Sequence, residues 1–538
     1  MWLNLIRRFL LRVFVTLLLL VFSFGCSKSA IREKGNRPLK ICFSEEIRIL
    51  DPRLGGEEPT THVIRMLFDG LMRRDAEGKV VPAVAESYDV FENSTVYIFH
   101  LRETLWSDGH PVTAHDFEHA WKKSLDPKTL SHGAQNFYMI KNAKESVEGL
   151  VHPDEIGVLA IDDLTLRVEL AYPVPYFVDA LLCTMFSPIP KHVDKADSMW
   201  AFRIDESFVS NGPFRLKKWH HGDDIIFEKN LLYWDKHNVQ IPGIEVCFVE
   251  EGMTQLYLFE KKEIDWFGSA INKAPSEAYM SIRNTPCYDT KESPTMYWYF
   301  VNTEKFPFSH KKIRKAFAYA LDRESIVNAA FEGIGQPAFG IISPCFGIEN
   351  PPQFQDRDVS LARKLFAEAL DELGLTTETF PVVSLKYVAG AENLSRTTQI
   401  TQQNWQEAFG IKVELQQADW PCHFSAIQKG DYQIGVMRWL SYLFDPIYML
   451  KTFQYKHDLV NMSNWENEDY QALLEKSNFQ ANPEERNATL AEAERALMDE
   501  MPLIPICFLN IQFTQAEELV GVTLPPSGEI DFKYATFQ

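Results

Sequence analysis

The sequence predicts a mixed α/β protein built of two or three lobes. Three observations carry that reading. Half-buried strand patterns and amphipathic helix patterns follow one another along the chain with no repeat period, which argues against solenoids and propellers. At 538 residues the chain is longer than one hydrophobic core supports. No Pro/Gly/Ser-rich linker divides it, so the lobes share chain crossings and do not hang as separate beads.

The elements follow in order. Residues 38–49 alternate apolar and polar side chains as an opening strand, which Leu50-Asp51-Pro52 breaks. Val63, Met66, Leu67 and Leu71 fall at helical spacing. Tyr97, Phe99 and Leu101 alternate with polar neighbours, a strand with one buried face. Thr113-Ala114-His115-Asp116 reads as a capping box, opening a helix with Phe117, Trp121 and Leu125 on one face. Leu164, Leu166, Val168 and Leu170 mark another strand, as do Phe214-Leu216 and Ile225-Phe227. Ser309-His310 precedes a helix whose apolar stripe is Ile313, Phe317, Ala320 and Leu321, and residues 360–374 and 481–500 are helices rich in Ala, Glu and Leu.

Composition narrows the class. With 46% hydrophobic and 24% charged residues the chain is globular. A net charge of −20 makes it a poor wrap for a phosphate backbone, so nucleic acid is excluded as a partner. At the N-terminus, Arg7, Arg8 and Arg12 precede an apolar stretch from Val13 to Phe24, followed by Gly25-Cys26-Ser27. Such a stretch is a secretory signal and is shorter than the roughly 20 residues that span a bilayer. Cys26 at its end resembles the lipidated cysteine of a bacterial lipoprotein. Of the usual residues before that cysteine, Ser23-Phe24-Gly25 keeps only the glycine, which leaves ordinary cleavage or an uncleaved anchor as alternatives. Loss of residues 1–25 takes three arginines with it and brings the mature charge to −23. Residues 26–36 read as a polar tether. The other seven of the eight cysteines are an odd number with no CxxC spacing, so they read as small buried hydrophobes with at least one left free.

Catalytic candidates are few. His115, Glu118 and His119 match the H-x-x-E-H order of inverted zinc peptidases. Phe117 and Trp121 point away from both histidines, which then face solvent if that stripe is core. His220-His221-Gly222-Asp223-Asp224 offers metal donors but sits between two strand patterns and reads as a hairpin turn. No nucleophile elbow, Walker loop or dinucleotide fingerprint is present, and no cofactor or resident metal is expected. Aromatic side chains stand out instead. Trp298 and Tyr299 lie in the run from Tyr297 to Phe300, while Trp420, Trp439 and Tyr442 form a second group; such rings suit either a cleft for an organic ligand or a large core.

A series of phrases runs in order along the whole mature chain: Pro82-Ala-Val-Ala-Glu-Ser-Tyr88, Leu105-Trp-Ser-Asp-Gly-His-Pro-Val-Thr-Ala-His-Asp-Phe117 and Asn211-Gly-Pro-Phe214. Tyr233-Trp-Asp235, Ala320-Leu-Asp-Arg323 and Asp445-Pro446 complete it. This series resembles the extracellular solute-binding proteins of family five, the oligopeptide-, dipeptide- and nickel-binding receptors of ABC importers. The resemblance implies a bilobed α/β receptor of the periplasmic-binding-protein type II kind, with an extra domain and a ligand cleft between lobes. By analogy, residues 37–68, 206–294 and 510–538 form the first lobe, 69–205 the extra domain packed on it, and 295–509 the second lobe. The receptor closes over its solute, delivers it to membrane permease subunits and carries out no chemistry.

The resemblance also implies a binding set. Gly56, Glu57 and Glu58 match the segment that pairs with a peptide backbone; Trp298 and Tyr299 match the aromatic strand crossing between lobes. Trp420 and Trp439 match two pocket tryptophans. Tyr442 stands where peptide-binding relatives carry an aspartate for the ligand's ammonium; its ring offers cation–π attraction of about 0.5–2 kcal/mol instead. The arginines that meet a peptide carboxylate fall on Ile427 and Val436 here, and Arg438 is the nearby cation, for ligand or for a salt bridge. The expected ligand is an oligopeptide or peptide-like solute. Alternatives on the same fold are a nickel chelate, haem, glutathione or a muropeptide. Further from these lie a zinc peptidase and a surface lipoprotein using the fold for signalling or adhesion. A lipid-anchored monomer in the periplasm or cell envelope is expected.

Overall fold

The computed structural model describes residues 36–55, 58–129, 131, 133–272, 275–441, 443–458 and 460–538. Two four-stranded sheets and one larger mixed sheet carry the architecture. In the first, Leu39–Phe43 lies parallel to Gly243–Phe248, followed by Asp224–Lys229 and Phe214–His220. Its two ends in the sequence thus meet side by side. The second is built from a continuous stretch: Ala85–Phe91, Val96–Leu101, Thr165–Glu169 and Val158–Asp162. The third runs Trp266–Gly268, Leu503–Gln515, Tyr288–Val301, Ile434–Trp439, Val383–Val388 and Val413–Ala418, with Gln336–Pro337 also paired to the second of these.

The expected local elements are present. Thr113 caps the helix Ala114–Ser124, its N–H donating to Asp116 Oδ2 at 2.8 Å, and Phe117 and Trp121 are fully buried beneath it. The helices Lys311–Tyr319, Val359–Leu373 and Pro483–Glu500 fall where the apolar stripes place them. The hairpin at 220–224 forms between its two predicted strands. Gly212 of the Asn-Gly-Pro-Phe phrase is fixed by close approach. Its N–H donates to Leu67 O at 2.7 Å, and a Cβ there would lie 2.5 Å from the Leu67 carbonyl carbon, closer than atoms pack.

The strands 288–301 and 503–515 pair with each other along most of their length, and the register shifts twice, between Glu292 and Met296 and between Tyr297 and Trp298. Pro294 sits in the first interruption and cannot donate to the ladder. The longer of the two interruptions leaves Ser293, Pro294 and Thr295 outside the register of the ladder. The largest apolar cluster reaches from Leu39 to Phe537 and takes in Ile447, Phe453, Tyr470 and Leu497; a second gathers Tyr299, Phe317, Trp405 and Ile504. The 447–451 helix is tied to residues 172–176 by Lys451, whose Nζ donates to Tyr176 OH at 3.2 Å and Tyr172 OH at 3.4 Å. No helix of the described residues is long and apolar enough to cross a membrane.

Two expectations need correction. His119 does not face solvent: its Nε2 lies 2.8 Å from Asp194 Oδ2, and that carboxylate also accepts from Arg53 at 2.9 Å and Trp200 at 3.0 Å. Burial alone would raise Asp194, but His119 and Arg53 hold it well below the usual carboxylate range. His119 is thus spoken for by a structural network, while His115 lies 3.7 Å from Glu118 and 3.6 Å from Asp163. The second correction concerns cysteine. All seven described cysteines are free; Cys42 and Cys507 are buried as expected, but Cys422 is exposed on a helix.

Glu494 supplies a pH dependence. Its Oε1 accepts the N–H groups of Ile341 at 2.5 Å and Ile342 at 2.6 Å, Asn350 donates to Oε2, and Gly340 leaves the room a Cβ would fill. Burial pushes this carboxyl up from 4.5 to about 7. Because the folded-state value is the higher, the stabilisation is complete below about pH 4.5 and is lost as pH rises through about 7. At roughly 1.4 kcal/mol per unit, this is about 3 kcal/mol. Unfolding midpoints of the wild type and Glu494→Gln should therefore converge at one end of pH 5–8 and separate at the other. Parallel curves would show that Glu494 does not titrate there.

Candidate functional site

The strands 288–301 and 434–439 run antiparallel, with Tyr297 opposite Arg438 and Met296 opposite Trp439. Directly opposed residues share a face and neighbours along a strand alternate, so this register sorts the aromatic run into two sides. Tyr297 and Arg438 face a cleft of about 820 Å³, joined along the same strand by Ser293 and Thr295. Trp298 and Trp439 stack on the other side, their ring centroids 5.5 Å apart, with Phe453 set edge-on to Trp298 at 5.8 Å. The volume is in the range that organic ligands occupy, about 300–1,000 Å³.

One wall comes from Ser44, Glu45 and residues 269–272, the other from Phe331 and residues 390–393. The first wall is stiff. Asn272 Nδ2 donates to Cys42 O and to Gln255 Oε1, both at 2.7 Å, while its Oδ1 accepts from Gly268 N at 3.0 Å. Behind it, His62 Nε2 lies 3.1 Å from Ala270 O, and burial lowers that imidazole to about 4, so it is neutral. On the second wall, Asn393 Nδ2 donates to Tyr297 OH at 3.4 Å and the Tyr297 ring packs on Phe331 at 5.1 Å. Burial raises the Tyr297 phenol, keeping it a neutral donor.

The charges are uneven. Glu45, Glu251, Glu277 and Glu392 line the cleft, and Arg438 is the one Lys or Arg among its described lining residues. Glu251 is engaged in capping the helix Gly252–Glu260, and Glu392 pairs with Arg396 at 2.5 Å. Arg438 is exposed and pairs with no carboxylate among the described residues. The cleft can therefore meet an anionic group at one point and spread carboxylate potential over the rest, a pattern suited to a zwitterion.

The sequence-based set divides accordingly. Arg438 lines the cleft. Trp298 and Tyr299 do not: both are buried, Trp298 under the sheet and Tyr299 against Trp405, with its hydroxyl 2.8 Å from Thr401 Oγ1. Their aromatic richness belongs to the core, because the strand crosses between two packed layers. Trp439 packs on Trp298, and Trp420 is 52% exposed, stacked on Phe424 at 5.5 Å; neither lines the cleft. Gly56, Glu57, Tyr442 and Cys26 lie outside the described residues, as does the side chain of Glu58, although its neighbour Pro59 lines the cleft. Sequence reasoning missed Tyr297, Ser293 and Thr295. The odd-numbered phase of the 293–297 stretch was the available signal, but only the register with 434–439 identifies which phase looks inward. Two groups of described residues bring three metal-capable donors together: Asp108 with His110 and His192, and His220 with Asp223 and Asp224. Neither lines the cleft.

Residues 79–459 match the family model for bacterial extracellular solute-binding proteins, family 5. The oligopeptide-binding protein OppA of Bacillus subtilis is 34% identical over 510 residues, covering 94% of this chain and 93% of that one. Among solved structures, the substrate-binding domain of an oligopeptide ABC transporter from Bacillus anthracis superposes with a TM-score of 0.74 at 25% identity. It covers 94% of this chain and all of that one. Haemophilus influenzae OppA in complex with the peptide RPPGFSPFR superposes with a TM-score of 0.76 at 24% identity, covering 94% of this chain and all of that one. The last likeness shows the fold alone.

Proposed function

The chain belongs to family 5 of the bacterial extracellular solute-binding proteins, and on that premise we propose that it is the receptor of an ABC importer for oligopeptides or peptide-like solutes. The observation that carries this reading is the floor of the cleft. Arg438 stands there opposite Tyr297, the one Lys or Arg among the described lining residues and beside four glutamates, placed for one end of an extended zwitterionic ligand. Its guanidinium takes the carboxylate, and Tyr297 and Asn393 supply hydrogen bonds beside it. The glutamates hold the ammonium loosely, standing in for the aspartate that Tyr442 replaces. Main-chain pairing along the wall segments, and with Gly56, Glu57 and Glu58 as the resemblance implies, gives affinity that does not depend on the peptide's sequence.

Capture occurs by closure of the lobes drawn from the resemblance, 37–68 with 206–294 and 510–538 against 295–509, the bend falling in the unpaired stretch around Pro294. The 69–205 domain rides with the first lobe. No chemical change of the solute is part of this function. Cys26 carries the lipid that keeps the receptor, as a monomer, at the membrane beside its permease. The test is calorimetry of the mature chain with di- to pentapeptides. Micromolar or tighter binding by members of that set is expected. The peptide reading fails if none binds while a metal chelate, haem or glutathione does.

A further inference from the structure

Asp108, His110 and His192 lie outside the cleft and play no part in the function above. Asp108 and His192 are 84 positions apart in the chain, yet His192 Nε2 sits 2.7 Å from Asp108 Oδ2. His110 Nδ1 comes to the same oxygen at 3.2 Å. The two imidazole rings stack with centroids 4.3 Å apart and planes 30° from parallel. All three donor atoms fall within 4.8 Å of one another. Ligands about 2.0–2.2 Å from one Zn²⁺ stand roughly 3–3.5 Å from each other, and the two distances to Asp108 Oδ2, 2.7 and 3.2 Å, lie near that range.

The two parts that carry the donors are held in place. Trp106 N donates to His110 O at 2.8 Å, Gly109 N donates to Trp106 O at 2.9 Å, and Leu105 bridges Pro111, which together close the turn. His192 belongs to the helix Lys191–Ala196, whose first N–H donates to Asp116 Oδ1 at 3.0 Å. Asp108 Oδ1 accepts the N–H of His110 at 3.1 Å, which leaves Oδ2 turned toward both rings. Two neutral imidazoles and one carboxylate carry a single negative charge and borderline-soft nitrogen, the donor set of Zn²⁺, Ni²⁺ or Cu²⁺ and not of Mg²⁺ or Ca²⁺.

We propose that Asp108, His110 and His192 form a surface site for a divalent transition ion, open to water at its remaining positions. By binding there, the ion staples the 105–111 turn to the 191–196 helix, at a distance from the solute. The site also bears on the rival nickel-receptor reading, since metal in the purified protein would not by itself place a metal chelate in the cleft.

The test is calorimetric titration of the chelator-treated mature chain with Zn²⁺. One equivalent is expected to bind, with affinity falling at least 10-fold in both His110→Ala and His192→Gln, and unchanged in Asp223→Asn, which impairs the other donor group. A saturating peptide should leave the Zn²⁺ affinity unchanged, and both histidine variants should keep their peptide affinity, which shows that they are folded. The proposal is overturned if Zn²⁺ does not bind, if the two histidine variants bind it as the wild type does, if Asp223→Asn abolishes binding, or if the peptide displaces the ion.

Discussion

Arg438→Ala is expected to weaken binding of a peptide with a free carboxylate by about 10- to 150-fold, and to leave its C-terminally amidated counterpart nearly unaffected. The estimate follows from hydrogen bonds to charged groups, worth about 1.5–3 kcal/mol each in net terms. Arg438 is exposed in the cleft with no carboxylate partner among the described residues, so its removal strands no buried acid and the loss belongs to the ligand. A lysine at this position should recover only part of the affinity, since it lacks the planar fork that grips both carboxylate oxygens. Calorimetry with the free and amidated peptides on both proteins closes a double-mutant cycle. Equal losses for the two peptides would mean that Arg438 positions the strand and does not touch the ligand's terminus.

Arg73→Met should cost about 3–5 kcal/mol of stability, the largest single effect expected outside the cleft. The Arg73 side chain is 4% exposed and lies between two carboxylates: Nε and Nη2 meet Asp531 at 2.8 and 2.9 Å, and Nη1 meets Asp69 at 3.0 Å. Asp69 further accepts from Tyr233 OH and Trp234 Nε1, both at 2.9 Å. Burial would raise Asp531, but Arg73 outweighs it and draws the carboxyl below its usual range. Methionine fills similar volume but leaves two buried acids uncompensated, which is why removing the cation is so much worse than never having had the network. Denaturant midpoints measure this. Adding Asp69→Asn and Asp531→Asn to Arg73→Met should return part of the loss, and a loss below about 1 kcal/mol in the single variant would show the network to be idle.

The chain order of helices and strands was legible because short-range patterns specify it. Thr113 and Asp116 cap a helix within four residues, and Leu166 and Val168 bury one face of a strand. The family was legible because phrases such as Asn211-Gly212-Pro213 encode backbone contacts that other residues would break. The cleft face was less so. Trp298 and Tyr299 advertise themselves by composition, whereas Tyr297 faces the cleft only because its partner across the ladder is Arg438. Register between strands more than a hundred residues apart is a tertiary property, and no local pattern states it. The same holds for His119 with Asp194 and for Asp108 with His192, where long-range packing decides whether a histidine meets water, a carboxylate or a metal.

The exposed indole of Trp420 gives the molecule a built-in optical reporter. Trp106, Trp121, Trp200, Trp266, Trp298 and Trp405 are sealed from water, so their emission is blue and insensitive to what happens at the surface. Trp420 begins its helix two residues beyond Ala418, whose carbonyl accepts the Ala389 N–H at 2.8 Å, at the root of the loop that walls the cleft. Trp234 and Trp439 are half-buried, so among the described tryptophans the long-wavelength edge of the spectrum is weighted toward Trp420, and following that edge during a titration would test, without any label, whether the lobe closure proposed above reaches this wall.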